Sequence, residues 1–286
     1  MIAFANRNLK LYLRDKASVL FSLLSVFIVI GLYVVFLGDV WTQDLEEFSN
    51  ARELMDNWVM AGVLAITSVT TTMGILSNMV RDKENNIYKD FYVSPIKRGQ
   101  LIGGYIISAI VVGLVMSCIA FLVAEGYIVA NGGNMVTVVN FLKVLVLLVL
   151  TTFMNTTIMF LFVSFFQTTN AFATASTVIG TLIGFITGIY LPIGMYPEGV
   201  QWIIKICPVS HAALLFRQVM MEDAMNTAFQ GVPTSAVYEV KTQLGIIYEF
   251  GTHTVSFRQS LLVILISGVV CSILSFLIHR KRRNAS

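Results

Sequence analysis

The fold of this chain is decided by residues 144–197, which read VLVLLVLTTFMNTTIMFLFVSFFQTTNAFATASTVIGTLIGFITGIYLPIGMYP and contain no charged residue. A single helix over this stretch, at 1.5 Å per residue, would be roughly 80 Å long, whereas the bilayer core is about 30 Å thick. The stretch must therefore fold back on itself. The polar cluster Gln167-Thr168-Thr169-Asn170 is the natural break. The pattern predicts two membrane spans, at 144–166 and 171–191.

The rest of the chain has the same apolar character. Hydrophobic residues make up 56% and charged residues 12% of its 286 residues, whereas soluble domains carry about 25% charged residues. Four further stretches are apolar and long enough to cross a bilayer: 20–37, 58–80, 101–124 and 260–278. We interpret the first of them as a retained anchor, because no small-residue cleavage site follows it. The sequence therefore predicts a single all-α integral membrane domain over 1–286, with six transmembrane helices.

Basic residues are concentrated in three segments: Arg7, Lys10, Arg14 and Lys16; Arg81, Lys83, Lys89, Lys97 and Arg98; Arg280, Lys281, Arg282 and Arg283. The segment 38–57 is acidic instead, with Asp39, Asp44, Glu46, Glu47, Glu53 and Asp56. Lys and Arg accumulate in cytoplasmic loops. An even number of spans puts the three basic segments on one side. We therefore expect both termini to be cytoplasmic, in a bacterial plasma membrane.

Residues 1–17 have the pattern of an amphipathic helix. Apolar residues recur at helical spacing: Ile2, Ala5, Leu9, Tyr12 and Leu13. Basic residues take the other face: Arg7, Lys10 and Arg14. Such a helix binds anionic lipid at a membrane surface or docks a partner protein, and the spacing leaves both open.

The segment 191–258 is too long for a turn between two spans. Pro192, Pro197 and Pro208 interrupt its apolar first part, and a proline cannot continue a helix interior. This pattern predicts a re-entrant pair of short helices that dips into the outer leaflet without crossing it. The polar residues 217–258 are expected to form a small external cap.

The sequence shows no motif of an enzyme or a metal site. H-E-x-x-H, G-x-S-x-G and the phosphate loop G-x-x-x-x-G-K-[ST] are all missing, and His211, His253 and His279 lie apart. Cys118, Cys207 and Cys271 are scattered and are interpreted as packing residues. We therefore expect no catalytic residue, metal or cofactor on this chain. Because the spans carry hydroxyls rather than charges, a proton- or sodium-driven carrier is disfavoured.

The fifth predicted span carries small residues at intervals of four: Ser176, Gly180, Gly184 and Gly188. A row of this kind lets helix backbones approach closely. It predicts helix packing, either within the chain or between subunits. The hydroxyl groups of the spans have two interpretations, helix packing or the mildly polar lining of a pathway.

The loop 81–100 holds an apolar stripe at helical spacing: Ile87, Tyr88, Phe91 and Tyr92. It predicts a short helix that Pro95 ends, and Glu84 is placed to cap its start. Such a helix lies on the membrane or inserts its aromatic residues into a groove on a soluble partner.

This loop resembles that of the ABC-2 permease family, the membrane subunits of type V ABC exporters. The family pattern is R-E-K-E-x-G-T-x-E-x-h-x-x-S-P, with h apolar, and Glu84, Phe91, Ser94 and Pro95 match it. Asn86-Ile87 replace the usual Gly-Thr, and Lys89 replaces the usual Glu. The prolines after the fifth span follow a family pattern loosely, and the N-terminal amphipathic connecting helix is also shared.

The resemblance implies the architecture of an ATP-driven exporter. Two six-span permease subunits, identical or different, would assemble with two copies of a separate ATP-binding subunit, which would hold ATP and Mg. The loop would be the cytoplasmic coupling helix, with candidate contacts at Glu84, Ile87, Tyr88, Phe91, Tyr92 and Pro95. Spans two and five would line the pathway, with candidates Thr67, Thr71, Phe172 and Thr174.

The expected function is export of an amphipathic or hydrophobic substrate, such as a drug, an antimicrobial peptide, a lipid or a glycolipid. The expected partners are those subunits and membrane lipid, with no nucleic acid. Three other classes stay open: a channel or secondary carrier without an ATPase, an intramembrane enzyme, and a membrane sensory or immunity protein.

Overall fold

The computed structural model describes residues 1–37, 50–93, 96 and 98–283. Its helices are Ile2–Arg14, Lys16–Leu32 continued by a π turn Tyr33–Leu37, Ala51–Glu84, Ile87–Val93, Arg98–Ala130, Val138–Val163, Thr169–Ile186, the 3-10 turn Ile193–Met195, Glu198–Ile206, Pro208–Met220, Glu222–Ala228, Thr234–Gln243 and Phe257–Arg283. A two-stranded antiparallel hairpin, Glu249–Phe250 with His253–Thr254, is also present. Several residues named above lie outside the described residues: Asp39, Asp44, Glu46, Glu47, Ser94, Pro95 and Lys97.

Six of the described helices are long and apolar enough to cross a membrane. They are named here span 1 (Lys16–Val35), span 2 (Ala51–Glu84), span 3 (Gly99–Ala130), span 4 (Val138–Val163), span 5 (Thr169–Ile186) and span 6 (Phe257–Ile278). The helices Ile2–Arg14 and Ile87–Val93 are named the N-terminal helix and the loop helix. The predicted all-α membrane architecture with six spans is confirmed.

Span 2 begins seven residues earlier than predicted, at Ala51 rather than at 58. Its first turns contain charged residues that find partners: Arg52 Nε lies 3.4 Å from Asp56 Oδ1, and Glu53 accepts a hydrogen bond from the amide of Asn134 at 2.8 Å. Span 3 likewise runs past Glu125, which is buried and accepts from the amide of Val136. The spans therefore include charged residues near their ends, which the prediction from uncharged apolar stretches had left outside them.

Span 2 is the centre of the bundle and is buried over most of its length. Span 3 approaches it at Gly113, where a Cβ atom would lie 2.9 Å from Thr72 of span 2 and 2.7 Å from Thr152 of span 4. Span 4 is also tied to span 2 by a buried hydrogen bond from Asn155 Nδ2 to Ser68 Oγ, at 2.6 Å. Spans 1, 5 and 6 are mostly exposed in the single chain.

Two residues with positive φ lie just after helix ends: Asn86 follows span 2, and Gly188 follows span 5. Asn86, at φ 57°, separates span 2 from the loop helix, and asparagine is among the few residues that tolerate this conformation. Gly188, at φ 68°, lies just after span 5. Its amide donates to Phe185, and that of Ile189 donates to Gly184, which closes the helix end. Gly188 is therefore a helix terminator outside the span, rather than a packing residue within it.

After span 5 the chain forms two short helices, Glu198–Ile206 and Pro208–Met220, bent by 86°. Cys207 between them is extended, as expected for a residue before proline, and Pro208 starts the second helix. These helices lie where the sequence predicted a short helical pair. The helices Glu222–Ala228 and Thr234–Gln243 and the hairpin follow them.

The connections gather at the two ends of the bundle. At one end lie the N-terminal helix, the loop helix and the turn 164–168 between spans 4 and 5, joined by contacts to the last turn of span 2. At the other end lie the connection 131–137 and the long segment 187–256. The first of these ends holds the candidate site.

Candidate functional site

The loop helix presents a small charged surface. Lys89 and Asp90 are exposed, and Ile87 and Tyr88 beside them are half-buried. Tyr92 lies in the same helix, but its side chain is outside the described part of the structure. The surface open to a partner therefore centres on Lys89 and Asp90.

Phe91 attaches the loop helix to the N-terminal helix. Its ring lies 5.0 Å from the ring of Phe4 in an edge-to-face arrangement, and the guanidinium of Arg7 lies 5.3 Å from the centre of the same ring. The sequence left Phe91 either on the membrane surface or in a partner's groove, and the family resemblance implied contact with the ATPase. The structure gives its ring contacts within its own chain. A helix of seven residues is too short to be stable alone, so it needs such packing.

Asp82, in the last turn of span 2, joins three elements. Arg7 of the N-terminal helix donates two hydrogen bonds to its carboxylate, at 2.8 and 2.9 Å. Tyr105 of span 3 donates a third, at 2.5 Å. Asp82 is buried, and its hydrogen bonds to Arg7 raise the pKa of the guanidinium, which stays charged. The N-terminal helix is therefore fixed to spans 2 and 3.

Lys83 and Glu84 reach the turn between spans 4 and 5. Lys83 Nζ donates to the carbonyls of Ser164 and Phe166, at 3.2 and 3.1 Å. Glu84 Oε2 accepts from the backbone amide of Thr169 at 3.2 Å and from its hydroxyl at 2.5 Å. The sequence predicted that Glu84 caps the start of the loop helix. In the structure it caps the start of span 5 instead.

Sequence reasoning missed Asp82 and Lys83 as site residues and counted the lysine only as a cytoplasmic charge. Their partners lie far away in the sequence, so no local spacing reveals the pairing. The available signal is the run of consecutive charges, Asp82-Lys83-Glu84, directly before the loop helix.

The N-terminal helix buries a face that overlaps only in part with the one its spacing predicted: Ala5 and Tyr12 are buried as expected, whereas Ile2 and Leu13 are not. Phe4, Ala5, Asn8 and Tyr12 are buried against the spans. Ile2 and Leu13, which were assigned to the apolar face, are 78% and 59% exposed. The helix is therefore docked on protein, with apolar residues left at the surface beside Lys10 and Arg14.

The four predicted pathway residues do not share one surface. Thr67 and Thr71 are fully buried, and each hydroxyl donates at 2.7 Å to the carbonyl four residues earlier. Phe172 is also buried, with its ring 5.6 Å from that of Phe166. Only Thr174 is exposed. A substrate would reach Thr67 and Thr71 only after spans have moved apart.

Span 5 instead exposes a row of polar side chains: Asn170, Thr174, Thr177 and Thr181. The three threonine hydroxyls donate to carbonyls four residues earlier, at 3.0 to 3.1 Å, so their hydrogen atoms are satisfied within the helix. Each hydroxyl oxygen can still accept a further hydrogen bond.

The predicted small-residue row of span 5 has uneven surroundings. A Cβ atom on Gly184 would collide with the ring of Tyr190 of the same chain. A Cβ atom on Gly180 would meet nothing within 4 Å, and Ser176 is half-buried. Within the single chain, only the Gly184 end of this row is covered.

Comparison with known proteins adds one positive finding. A family model described as "ABC-2 family transporter protein" matches residues 40–277, which include spans 2 to 5 and all but the last residue of span 6. The N-terminal helix lies before the matched residues. No curated protein matches the chain.

Proposed function

Because this chain belongs to the ABC-2 transporter family, we propose that it is the permease subunit of an ATP-driven exporter. Proteins of this family are membrane components of ABC transporters and generally work with an ATP-binding subunit. The chain is a multi-pass membrane protein, as its spans show. The proposed work of this chain is to form the pathway, while the ATP-binding subunit binds ATP and Mg and hydrolyses the ATP.

The proposed assembly holds two permease subunits and two ATP-binding subunits. Six helices enclose little space, whereas twelve can surround a central path. Span 5 supports this assembly, since it is mostly exposed in the single chain and carries the polar row Asn170, Thr174, Thr177 and Thr181. An exposed polar row is better placed against a second subunit or a pathway than against lipid.

The proposed substrate is amphipathic or hydrophobic: a drug, an antimicrobial peptide, a lipid or a glycolipid. The exposed face of span 5 combines hydroxyls with apolar side chains, among them Val178 and Leu182, and carries no charge. A face of this composition favours a mostly apolar molecule with a few polar groups over a charged polymer. Export is the direction that the family resemblance implies.

The proposal depends on one observation, the way the loop helix is held. Phe91 fixes it against the N-terminal helix, while Lys89 and Asp90 on the same helix remain exposed. Because the loop helix is packed against the N-terminal helix, it can transmit the movement of a protein bound to its exposed surface. We propose that the ATP-binding subunit docks on this surface, at the cytoplasmic end of the bundle.

The first prediction tests this docking surface. The double variant Lys89→Glu/Asp90→Lys reverses two exposed charges and leaves the contacts of Phe91 intact. The chain is co-expressed with an ATP-binding-cassette protein encoded by a neighbouring gene, and the complex is purified and reconstituted. We expect wild-type chain to retain the ATPase, and the double variant to retain at least tenfold less, because like charges at an interface repel.

The matched control is Glu239→Lys/Arg258→Glu, which reverses two exposed charges at the other end of the bundle. It should bind the ATPase as wild type does. Full binding and ATP-dependent transport by the loop-helix variant would show that docking occurs elsewhere. A wild-type chain that transports without any ATPase would refute the exporter proposal itself.

A further inference from the structure

We infer that the charged triplet Asp82-Lys83-Glu84 is a set of positioning residues that passes movement of the loop helix to spans 3, 4 and 5. The inference rests on the proposed function, since it names the route by which a docked ATPase would act. The triplet occupies the last turn of span 2, and only Asn85 and Asn86 separate it from the loop helix.

Each member of the triplet binds a different part of the molecule. Asp82 holds the N-terminal helix through Arg7 and span 3 through Tyr105. Lys83 holds the end of span 4, and Glu84 holds the start of span 5. Three consecutive side chains therefore connect the segment before the loop helix to four other elements.

The contacts of Lys83 and Glu84 agree with the electrostatics of helix ends. The C-terminal end of a helix carries partial negative charge, which favours a cation. Lys83 lies at this end of span 4, where it donates to the carbonyls of the C-cap Ser164 and of Phe166 in the turn beyond it. The first amides of a helix lack acceptors and carry partial positive charge, which favours an anion such as Glu84. The order Lys-Glu thus matches the order in which span 4 ends and span 5 begins.

The turn held by Lys83 and Glu84 is packed against both of the spans that it connects. Phe166 packs against Phe162 of span 4 and Phe172 of span 5, with ring centres 4.8 and 5.6 Å apart. We therefore expect a displacement of this turn to move the start of span 5 with it. Span 5 carries the exposed polar row, so the triplet joins the docking surface to the proposed pathway.

The second prediction separates ATPase docking from transmission. A fluorophore is attached at Gln167→Cys, an exposed position in the turn, in a chain whose three native cysteines are replaced. In the reconstituted wild-type complex, Mg-ATP should change its emission. In Lys83→Ala/Glu84→Ala, ATP hydrolysis should stay within twofold of wild type, while the emission change falls at least fivefold. A role in stability alone would not separate these two readouts.

The control is Lys143→Ala/Glu222→Ala, which removes an ion pair of 2.9 Å between two elements at the opposite end. It should keep both signals, and Lys83→Arg/Glu84→Asp should recover part of the emission change. If the alanine pair does not reach the membrane, the single variants Lys83→Met and Glu84→Gln are measured instead. Each should give an emission change at least twofold smaller than that of wild type.

A full emission change in the triplet variants would overturn the inference and leave the proposed function standing. A wild-type chain that binds no ATPase would instead overturn the proposed function.

Discussion

At the residue scale, Arg217 is the most unusual side chain of the described structure. It is fully buried, and its guanidinium lies 4.3 Å from the ring centre of Trp58. Its Nη2 donates to the carbonyl of Gly188 at 3.3 Å, and none of the described carboxylates pairs with it. A buried cation without a counterion is costly. The aromatic face and the carbonyl stabilise this charge in part, whereas Nε and Nη1 have no hydrogen-bond partner among the described residues.

The third prediction is that Arg217→Lys destabilises the protein by about 1–3 kcal/mol. A lysine keeps the charge but has no planar face to lie over Trp58. Thermal unfolding of the purified protein in detergent measures the effect. Arg258→Lys, at an exposed arginine, is the control and should unfold like wild type. Equal stability of both variants would mean that stacking on Trp58 contributes nothing.

At the scale of elements, spans 2, 3 and 4 approach one another closely at Gly113. A side chain there would enter the space of the methyl groups of Thr72 and Thr152. Both threonines are buried, and they lie on helices that are themselves packed together. The neighbours therefore have little room to yield, and the glycine permits the close approach of the three spans.

The fourth prediction is that Gly113→Ala destabilises the bundle by about 1–3 kcal/mol, through overpacking. Gly126→Ala is the matched control, because it lies in the same helix with nothing within 4 Å of the added carbon. Alanine is the better helix former, so this control should be neutral or stabilised by up to about 1 kcal/mol. Unfolding in a titration with a denaturing detergent compares the two. Indistinguishable midpoints would mean that Thr72 and Thr152 make room for the added methyl group without a measurable loss of stability.

At the scale of the whole molecule, charge differs between the two ends of the bundle. Among the described residues, basic side chains outnumber acidic ones at the end that holds the loop helix. Acidic side chains outnumber basic ones at the other end, where Glu53, Glu222 and Asp223 lie close to the connection 131–137 and the start of span 4. The bias of Lys and Arg toward cytoplasmic loops supports a cytoplasmic loop helix.

The fifth prediction concerns this orientation. Single cysteines at Lys89 and Ser235 are placed in a chain without its native cysteines, since both positions are exposed. In intact cells, a membrane-impermeant thiol reagent should label position 235 and leave position 89 unlabelled. Permeabilised cells provide the control, in which both positions should react. Labelling of 89 but not 235 in intact cells would reverse the proposed topology.

The six spans and the short helix before Pro95 could be predicted from the sequence, because apolar length and helical spacing are local properties. The ends of the spans could not, since Arg52 and Glu125 are accommodated by partners in other segments. The aromatic stripe revealed the loop helix, but it gave no sign that Phe91 packs on Phe4. Burial of a side chain depends on what lies beside it, which apolar patterning does not specify.

The sequence by itself determined that the chain carries six stretches that are apolar and long enough to cross a membrane as helices, because a spanning helix needs about 20 mostly apolar residues. Only the tertiary structure decided the rotation of each span about its own axis, and so which of its faces is buried. It buries Thr67 and exposes Thr174, although both are threonines within apolar helices. It also decided that Glu84 meets Thr169. Rotation of a span follows from its packing against neighbours that are distant in sequence, and lipid does not distinguish one apolar face from another.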